Sequence, residues 1–433
     1  MHGAADTIFA VASGAGRAAV AVMRLSGPQA GAVLESLCRR RPAARVASLR
    51  TLRNGDGDVL DRALVLWLPA PGSYTGEDSA ELHLHGGPAV EDGVVAALVA
   101  AGARPAEPGE FSRRAFLHGR MDLLQAEAVA DLVAAESEAQ RRQALQQLGG
   151  ALGALYRGWT DRLTGLLAQQ EALIDFPDED LPPETEAAML TEIAATRDEI
   201  ARHLDDGRRG ERVREGLVIA ITGPPNVGKS TLINALAERE VAIVSPYAGT
   251  TRDVLEARVI IGGVPVTLLD TAGLRETADP VEAEGVRRAQ ARAASADLVV
   301  VLNDGSHQGP DALRREPRQM AVASKADLRM STGQAGLSVS ALTGEGMAAL
   351  RARLAHEVRQ LTGQSGPPAL TRARHRAGLG AVVAALGAAA DAPLPELRGE
   401  ALRQAVLGIG RVTGRVGAEA ILDAVFRQFC IGK

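Results

Sequence analysis

The sequence predicts a multidomain chain, α/β plus all-α, in which a parallel-sheet α/β domain is inserted into a helical one. Three observations carry this. Apolar runs alternate with helical stretches between Gly216 and His356, the βαβ texture of a parallel sheet. On both sides lie segments rich in Ala, Leu, Gln and Glu with apolar residues spaced by three and four. Ahead of them, the first 120 residues mix short β-like runs that end in Gly or Pro with a single helix pattern.

Taken in order, "AVAVMRLSG" and "ALVLWLPAPG" read as strands. "AELHLHGGP" alternates apolar and polar residues and turns at Gly86 and Gly87. "AVEDGVVAALVAAG" reads as a helix stopped at Gly102. From Met121 to Asp175 amphipathic helices are expected, with Gly149 and Gly150 separating two of them, then "PDEDLPPETEAAM" as a loop and a helix to His203. "DDGRRGERVREG" reads as a basic linker. "GLVIAITG", "VTLLDTAG", "ADLVVVLND" and "QMAVASKAD" are four strands of the inserted domain, and a second helical block runs from Arg351 to Phe429. The expected division is 1–120, an α/β domain; 121–215, the first helical part; 216–356, the inserted domain; and 357–433, the second helical part with the tail.

Composition narrows the function classes. The chain has 433 residues, 46% hydrophobic and 23% charged, so packed cores are expected. A net charge of −5 excludes a protein that coats nucleic acid with its whole surface. Two cysteines, Cys38 and Cys430, give no disulfide framework and fit a reducing cytosol. No apolar run approaches a membrane span and the N-terminus lacks a basic signal-peptide region, so a cytoplasmic protein without membrane contact is expected.

"GPPNVGKST" at 223–231 matches G-x-x-x-x-G-K-[ST] between a predicted strand and a predicted helix. Its backbone N–H groups, from Asn226, Val227, Gly228, Lys229, Ser230 and Thr231, can wrap phosphate oxygens. Lys229 would reach the terminal phosphates and Ser230 would ligate Mg2+. Downstream, in order, come Thr251 in "GTTRD" as a second Mg2+ hydroxyl, and "DTAG" (Asp270, Thr271, Ala272, Gly273) for the metal and last phosphate. "SKAD" (Ser324, Lys325, Ala326, Asp327) and "SALTGEG", beginning Ser340, Ala341, Leu342, follow for the base. Asp327 can accept from the ring N–H and exocyclic amine of guanine, a donor pair adenine lacks. This order is similar to the translation-factor-related GTPases, with a Ras-like P-loop fold and GTP/GDP as ligand. Such proteins usually carry Asn where Ser324 stands, and a hydroxyl cannot copy a carboxamide's two-sided contact, so weaker guanine affinity is expected. Leu274 follows "DTAG" where a water-orienting glutamine would be useful. Asn226 either bridges a monovalent cation to phosphate or merely stabilises the loop.

His83 and His85 alternate on one strand face without a third ligand nearby in sequence, and read as structural or pocket residues. "CRRRPAAR", "RRGERVR" and "TRARHR" are either solvated faces or contacts to an RNA backbone.

The whole chain resembles the MnmE (TrmE) family of tRNA modification GTPases. The stretches that carry the resemblance are "DTIFAVASGAGRAAVAVMRLSGP", "SYTGEDSAELHLHGGP", "PGEFSRRAFLHGRMDLLQAEAVADLV", "EALIDFPDED", the GTPase motifs and the terminal "FCIGK". The resemblance implies an N-terminal folate-binding and dimerisation domain, a discontinuous helical domain and the inserted G domain. It implies hydrolysis stimulated by K+-dependent G-domain pairing, with Asn226, Ser245, Tyr247 and Thr250 as K+ ligands and Glu282 positioning the attacking water. It also implies a homodimer working with the FAD protein MnmG (GidA) as a heterotetramer. Together they would install a carboxymethylaminomethyl or aminomethyl group on the wobble uridine of certain tRNAs. The one-carbon unit would come from 5,10-methylenetetrahydrofolate, for which 5-formyltetrahydrofolate is an analogue. Family folate contacts fall on Arg24, Glu81, Arg120 and Lys433. Taken singly, Arg24 and Arg120 would pass as surface charges and Glu81 as a turn cap. Phe429 would anchor the tail and deliver Cys430 and Lys433 to the folate, with Cys430 either a nucleophile or a packing residue. The competing reading is a ribosome-assembly or RNA-binding switch GTPase without one-carbon chemistry.

Overall fold

The computed structural model describes residues 6–14, 16–175, 183–238, 256–270, 296–303, 318–328, 337–363 and 368–416, with Leu422, Val425, Phe426, Phe429 and Gly432. Two compact units form. One comprises Met1–Ala130, Leu148–Thr160 and Ile409–Lys433; the other comprises Asp131–Gln147 and Asp161–Gly408.

The first unit is built on β1 (Ile8–Val11), β2 (Ala18–Ser26), α1 (Ala30–Cys38), β3 (Ser48–Arg53), β4 (Val59–Leu68), β5 (Ser79–Gly86), α2 (Pro88–Ala100) and β6 (Arg104–Pro105). The strands form one sheet in the order β3-β4-β5-β2-β1-β6. All neighbours are antiparallel except β1 and β6. Period-two alternation explains the layering. Ala63, Val65 and Trp67 of β4 and Leu82 and Leu84 of β5 are buried with Leu34 and Leu37 of α1 and Val94 and Leu98 of α2. Each such side chain contributes about 1.5–3 kcal/mol by leaving water. Pro88 opens α2 at a position that needs no N–H, and Gly102 (φ +90°) ends the run. On the sheet's other face α3 (Glu110–Leu117) buries Phe111 against Ile8, Ala10 and Ala106. Neither β1 nor β3 was expected: β1 is four residues long, and the arginines of "SLRTLR" mask its alternation.

The helices expected after Met121 are α4 (Leu123–Val133), α5 (Glu138–Leu148) and α6 (Ala151–Asp175), and Gly149–Gly150 does separate the last two. Two expectations fail. The stretch expected as a loop through Met189 is helical from Pro183, where α7 (Pro183–Leu204) starts with Pro in its first turn and Glu184 and Glu186 against the helix dipole. The basic linker contains α8 (Arg209–Glu215), a short helix whose charges are paired rather than solvated.

In the second unit β7 (Leu217–Thr222), α9 (Lys229–Ala237), β8 (Glu256–Ile261), β9 (Val264–Asp270), β10 (Leu298–Asn303) and β11 (Arg318–Ala323) form a sheet ordered β11-β10-β7-β9-β8 among the described residues. It is parallel apart from β8, which pairs antiparallel with β9. The four strands expected from sequence are all present. The missed strand β8 is an edge reached through Gly262–Gly263, both at positive φ (+61° and +84°), a hairpin turn. The parallel strands are near-continuous apolar runs, and alternate residues on one face meet the helices that follow. Their core joins Ile219, Ile221, Leu268 and Val300 to Leu232 of α9 and Leu350 and Leu354 of α10 (Met347–Thr362). Helix α11 (Ala373–Ala390) packs along α7, and α12 (Pro395–Thr413) follows. No helix among the described residues is long and apolar enough to cross a membrane.

Candidate functional site

Strand β7 lies inside the parallel sheet, so its C-terminal edge is the ligand-facing edge of such folds. There the chain leaves the strand at Gly223 (φ +150°) and enters α9 through Gly228 (φ +101°). A Cβ at Gly223 would stand 2.4 Å from the Leu302 carbonyl oxygen, so only glycine lets the loop pass β10. Asn226 holds a left-handed φ of +60°, exposed at the loop's tip, while Val227 is fully buried beneath it. The result is a concave run of backbone N–H groups at a helix N-terminus. Lys229 is buried, its ammonium donating to the carbonyls of Gly223 (2.9 Å) and Pro224 (2.8 Å). Ser230 donates to the carboxylate of Asp270, which ends β9 and is itself buried. The hydroxyl and carboxylate that magnesium chemistry needs are thus in contact, and this hard oxygen pair fits that ion. Thr231 is exposed on the first turn of α9.

The segments that the sequence assigns to the base lie at the ends of neighbouring strands. Ser324 follows β11, buried, with its N–H (2.7 Å) and its hydroxyl (3.2 Å) both directed to the Asn303 carbonyl. Lys325 takes φ +57°, Ala326 donates its N–H to Val339 (3.1 Å), and Asp327 is exposed in a short 3-10 turn. Ser340 is buried and closes its own turn: its carbonyl accepts from Gly344 (2.9 Å) and its hydroxyl from the Thr343 N–H (3.2 Å), leaving Ala341 half-buried and Leu342 exposed. Phosphate and base loops share a support, because Leu302 crowds Gly223 and the next residue, Asn303, holds Ser324.

A second constellation lies in the first unit. Arg24 and Glu81 are cross-strand partners on β2 and β5, with Nε and Nη2 donating to Oε1 at 3.1 and 2.9 Å. Both are half-buried; neither is a surface charge nor a turn cap, so the bland readings of these two residues fail. The guanidinium lies 5.3 Å from the Tyr74 ring and 5.9 Å from the Phe111 ring. Tyr74 shares a 2.8 Å hydrogen bond with Ser112, and burial pushes its phenol up, partly offset by Ser112 and Arg24. The other oxygen of Glu81 stands 3.6 Å from His83 Nε2. Arg120 is exposed and rests its stem against the loop that carries Tyr74, 3.2 Å from where a Gly76 Cβ would be. Nothing in the sequence flagged Tyr74 or Phe111 as partners of Arg24. Their separation along the chain hides a stacking that only the fold creates.

Near this constellation the described tail residues are anchored. Phe426 and Phe429 pack with Leu123, Ala126 and Leu422, ring centroids 5.3 Å apart, so Phe429 is the expected anchor. Gly432 is buried at φ +97°, and a Cβ there would come within 2.4 Å of the Val11 carbonyl oxygen. Val11 ends β1, one residue beyond Ala10, the register partner of Arg24. Ser245, Tyr247, Thr250, Thr251, Thr271, Ala272, Gly273, Glu282, Cys430 and Lys433 lie outside the described residues.

Other sequence candidates resolve differently. His85 pairs with Asp61 at 2.7 Å; among the described residues no group of His, Cys, Asp and Glu is arranged for a metal. The basic clusters at α8 and before α11 are largely internal ion pairs: Arg208–Glu211, Arg212–Asp297, Arg214–Asp131, Arg372–Asp131, and Arg376 with Asp206 and Glu211. Cys38 is buried, its thiol donates to the Leu34 carbonyl at 3.0 Å, and burial pushes it up to about 11, with Arg50 pulling the other way.

A family model described as the MnmE helical domain matches residues 123–430, and one described as the GTP-binding protein TrmE N-terminus matches residues 7–120. The tRNA modification GTPase MnmE of Gluconacetobacter diazotrophicus is 58% identical over 431 residues, covering 98% of each chain. The proteins of the same name from Granulibacter bethesdensis and Rhodospirillum rubrum are 53% and 54% identical, covering 99% of each chain.

Proposed function

The chain belongs to the MnmE family of tRNA modification GTPases, and from that premise we propose that it hydrolyses GTP to drive a one-carbon-dependent modification of the wobble uridine in tRNA. The observation that carries the nucleotide half is the Lys229–loop and Ser230–Asp270 arrangement at the edge of β7. When GTP enters, Lys229 exchanges two loop carbonyls for the β- and γ-phosphate oxygens, a charge-for-charge contact stronger than the one it leaves. Ser230 and Asp270 are the residues that would hold Mg2+, and the ion would supply charge neutralisation at the phosphates. Asp327, exposed at the base edge, accepts from the two N–H groups of guanine, with Ser340, Ala341 and Leu342 offering backbone. Thr251, Thr271, Ala272 and Gly273 complete the phosphate and metal shell by motif. Asn226, with Ser245, Tyr247 and Thr250, would hold K+, and Glu282 would orient the attacking water. Asn226 at the exposed tip suits that role, since its side chain can reach outward without leaving the loop.

The folate half rests on the Arg24–Glu81 pair beneath Tyr74. Glu81 keeps one oxygen free of Arg24, able to accept from a pterin N–H edge; Arg120 and Lys433 are cations suited to the glutamate tail. The folate supplies the one-carbon unit. By the family resemblance Cys430 would act at this site, as nucleophile or packing residue. The 1–120, 121–215, 216–356 and 357–433 division, a homodimer, the FAD protein MnmG as heterotetrameric partner and a cytoplasmic setting belong to the same reading. Against a ribosome-assembly switch stands the near end-to-end family match, including the N-terminal region. The test is direct: compare wobble-base nucleosides in tRNA from cells with and without the protein, and titrate the purified chain with GTP, ATP and 5-formyltetrahydrofolate. Unchanged nucleosides and no folate binding leave only the switch.

A further inference from the structure

We propose that the loop following α1 in the N-terminal unit, centred on Arg39 and Arg40, is a contact surface for the sugar-phosphate backbone of RNA. The three basic clusters in the sequence invite that reading equally, and the structure separates them. Those at α8 and before α11 spend their charge on Asp131, Asp206, Glu211 and Asp297. An arginine already held by a carboxylate has less to offer a phosphate. The first cluster is different. Arg39 and Arg40 are exposed and meet no acidic partner among the described residues. Arg41 is satisfied by Glu35 at 3.1 Å and lies 4.7 Å over the Trp67 ring, which pins the loop to β4. Arg45 is held to the same strand end, its guanidinium donating 2.6 Å to the Gly72 carbonyl, and its own N–H donating 2.8 Å to Trp67. Arg50 of β3 is half-buried and its guanidinium donates to the Leu49 carbonyl at 3.2 Å. Among the described residues these five arginines meet a single carboxylate, Glu35, and Arg39 and Arg40 are exposed.

The backbone adds a second observation. Arg39 and Arg45 both adopt left-handed φ, +63° and +61°. Such positions normally go to Gly or Asn, since a side chain there is strained. Here long cations occupy both ends of a rigid, fastened loop. A fixed, one-signed arginine array fits a phosphodiester chain, whose regular charge spacing needs no side-chain pocket. That the RNA is tRNA rests on the proposed function.

The test is fluorescence anisotropy of labelled, unmodified tRNA transcript with the full chain, across KCl concentrations. For Arg39→Ala/Arg40→Ala, affinity should fall about tenfold or more at low salt, and the slope of log K against log[KCl] should flatten by about 1.5, ~0.7–0.9 per lost phosphate contact. Arg39→Lys/Arg40→Lys should keep most of the slope. Arg403→Ala, which removes an exposed cation paired with Glu171 and Glu400, should change neither. GTP hydrolysis measured on the same preparations should be unchanged. An unaltered affinity and slope in the Ala pair overturns the proposal, and with hydrolysis intact it does so without touching the GTPase reading. Loss of binding to anionic phosphatidylglycerol vesicles with tRNA binding preserved overturns it in favour of a membrane.

Discussion

Arg24 and Glu81 face each other across β2 and β5, and both guanidinium nitrogens that reach the carboxylate, Nε and Nη2, donate to the same oxygen, at 3.1 and 2.9 Å. That one-sided grip leaves the second oxygen beside His83, 3.6 Å away, turned from the arginine. A purely structural ion pair gains most from bidentate geometry. This one forgoes it, and holds the carboxylate in place with one oxygen to spare.

Arg24→Ala should therefore cost more in ligand binding than in stability. A half-buried pair contributes about 1 kcal/mol at most, so the thermal midpoint should move by only a few degrees. Tetrahydrofolate affinity, read by calorimetry, should fall at least tenfold. A variant that melts far lower yet binds folate normally would make the pair scaffolding alone.

Lys229→Ala removes the cation that the loop carbonyls of Gly223 and Pro224 hold ready. GTP turnover should drop at least a thousandfold, measured as released phosphate under saturating nucleotide. Folding should survive, because a vacated ammonium position bordered by carbonyls can take water. Ser230→Ala should instead raise the Mg2+ concentration needed for half-maximal turnover, since its hydroxyl already sits on Asp270. Equal Mg2+ dependence in that variant and the parent would remove Ser230 from the metal shell.

At Ser324 both the N–H and the hydroxyl are directed at Asn303, so the side chain supports its own loop and offers nothing outward. Ser324→Asn places a carboxamide where one can bridge loop and base. GDP affinity should tighten several-fold, with discrimination against ADP unchanged, since the proposed reading gives that role to Asp327. A weaker complex would mean the buried position cannot take the larger group.

Glu110 gives the first unit an acid-sensitive element. Burial pushes its carboxyl up, but hydrogen bonds from Arg104, the Glu107 N–H and Arg114 outweigh that and hold it at about 2, against an ordinary 4.5. Because the folded value is the lower one, the ionised group stabilises the fold fully above about pH 4.5, and that stabilisation is lost as pH falls toward about 2. The contribution is on the order of 3 kcal/mol. Glu110→Gln should lower stability in urea at pH 7 and flatten its decline between pH 4.5 and 2. An identical acid limb in both proteins would show the network is indifferent to this charge.

How much of this could be read in advance depended on whether the signal was local. The loop at 223–231 was legible to the residue, because glycines, lysine and serine must sit at fixed spacing to wrap a phosphate. The four parallel strands were legible from continuous apolar runs, and the helix break at Gly149–Gly150 from its glycines. Edge strands β3 and β8 were not, since one face of each is polar or the strand ends in a glycine turn. Helix α8 was hidden because "RRGERVR" looks like a solvated linker. Only tertiary pairing with Asp131 and Asp297 gives those charges a reason to be helical. The Tyr74 and Phe111 rings around Arg24 left no trace in spacing for the same reason.

Gly432 offers the sharpest single-atom test. Its φ of +97° disfavours any side chain, and a Cβ would lie 2.4 Å from the Val11 carbonyl oxygen and 3.1 Å from the Ala12 Cα, both backbone atoms that cannot swing aside. Gly109, on the opposite side of the anchor, is equally constrained: a Cβ there would meet the Phe426 carbonyl at 2.6 Å. The two substitutions nevertheless differ in what they disturb. Gly109→Ala pushes against the Phe426–Phe429 anchor and the start of α3, so it should lower the melting temperature by several degrees. Gly432→Ala acts beyond the anchor, where only the last residues must give way, so global stability should stay within about 0.5 kcal/mol. What it should displace is the tail from the end of β1, one register step from the Arg24–Glu81 pair. Folate affinity and wobble modification should both fall while GTP hydrolysis holds. If Gly432→Ala modified tRNA at the parental rate, the seat of the tail against Val11 would have no part in the chemistry.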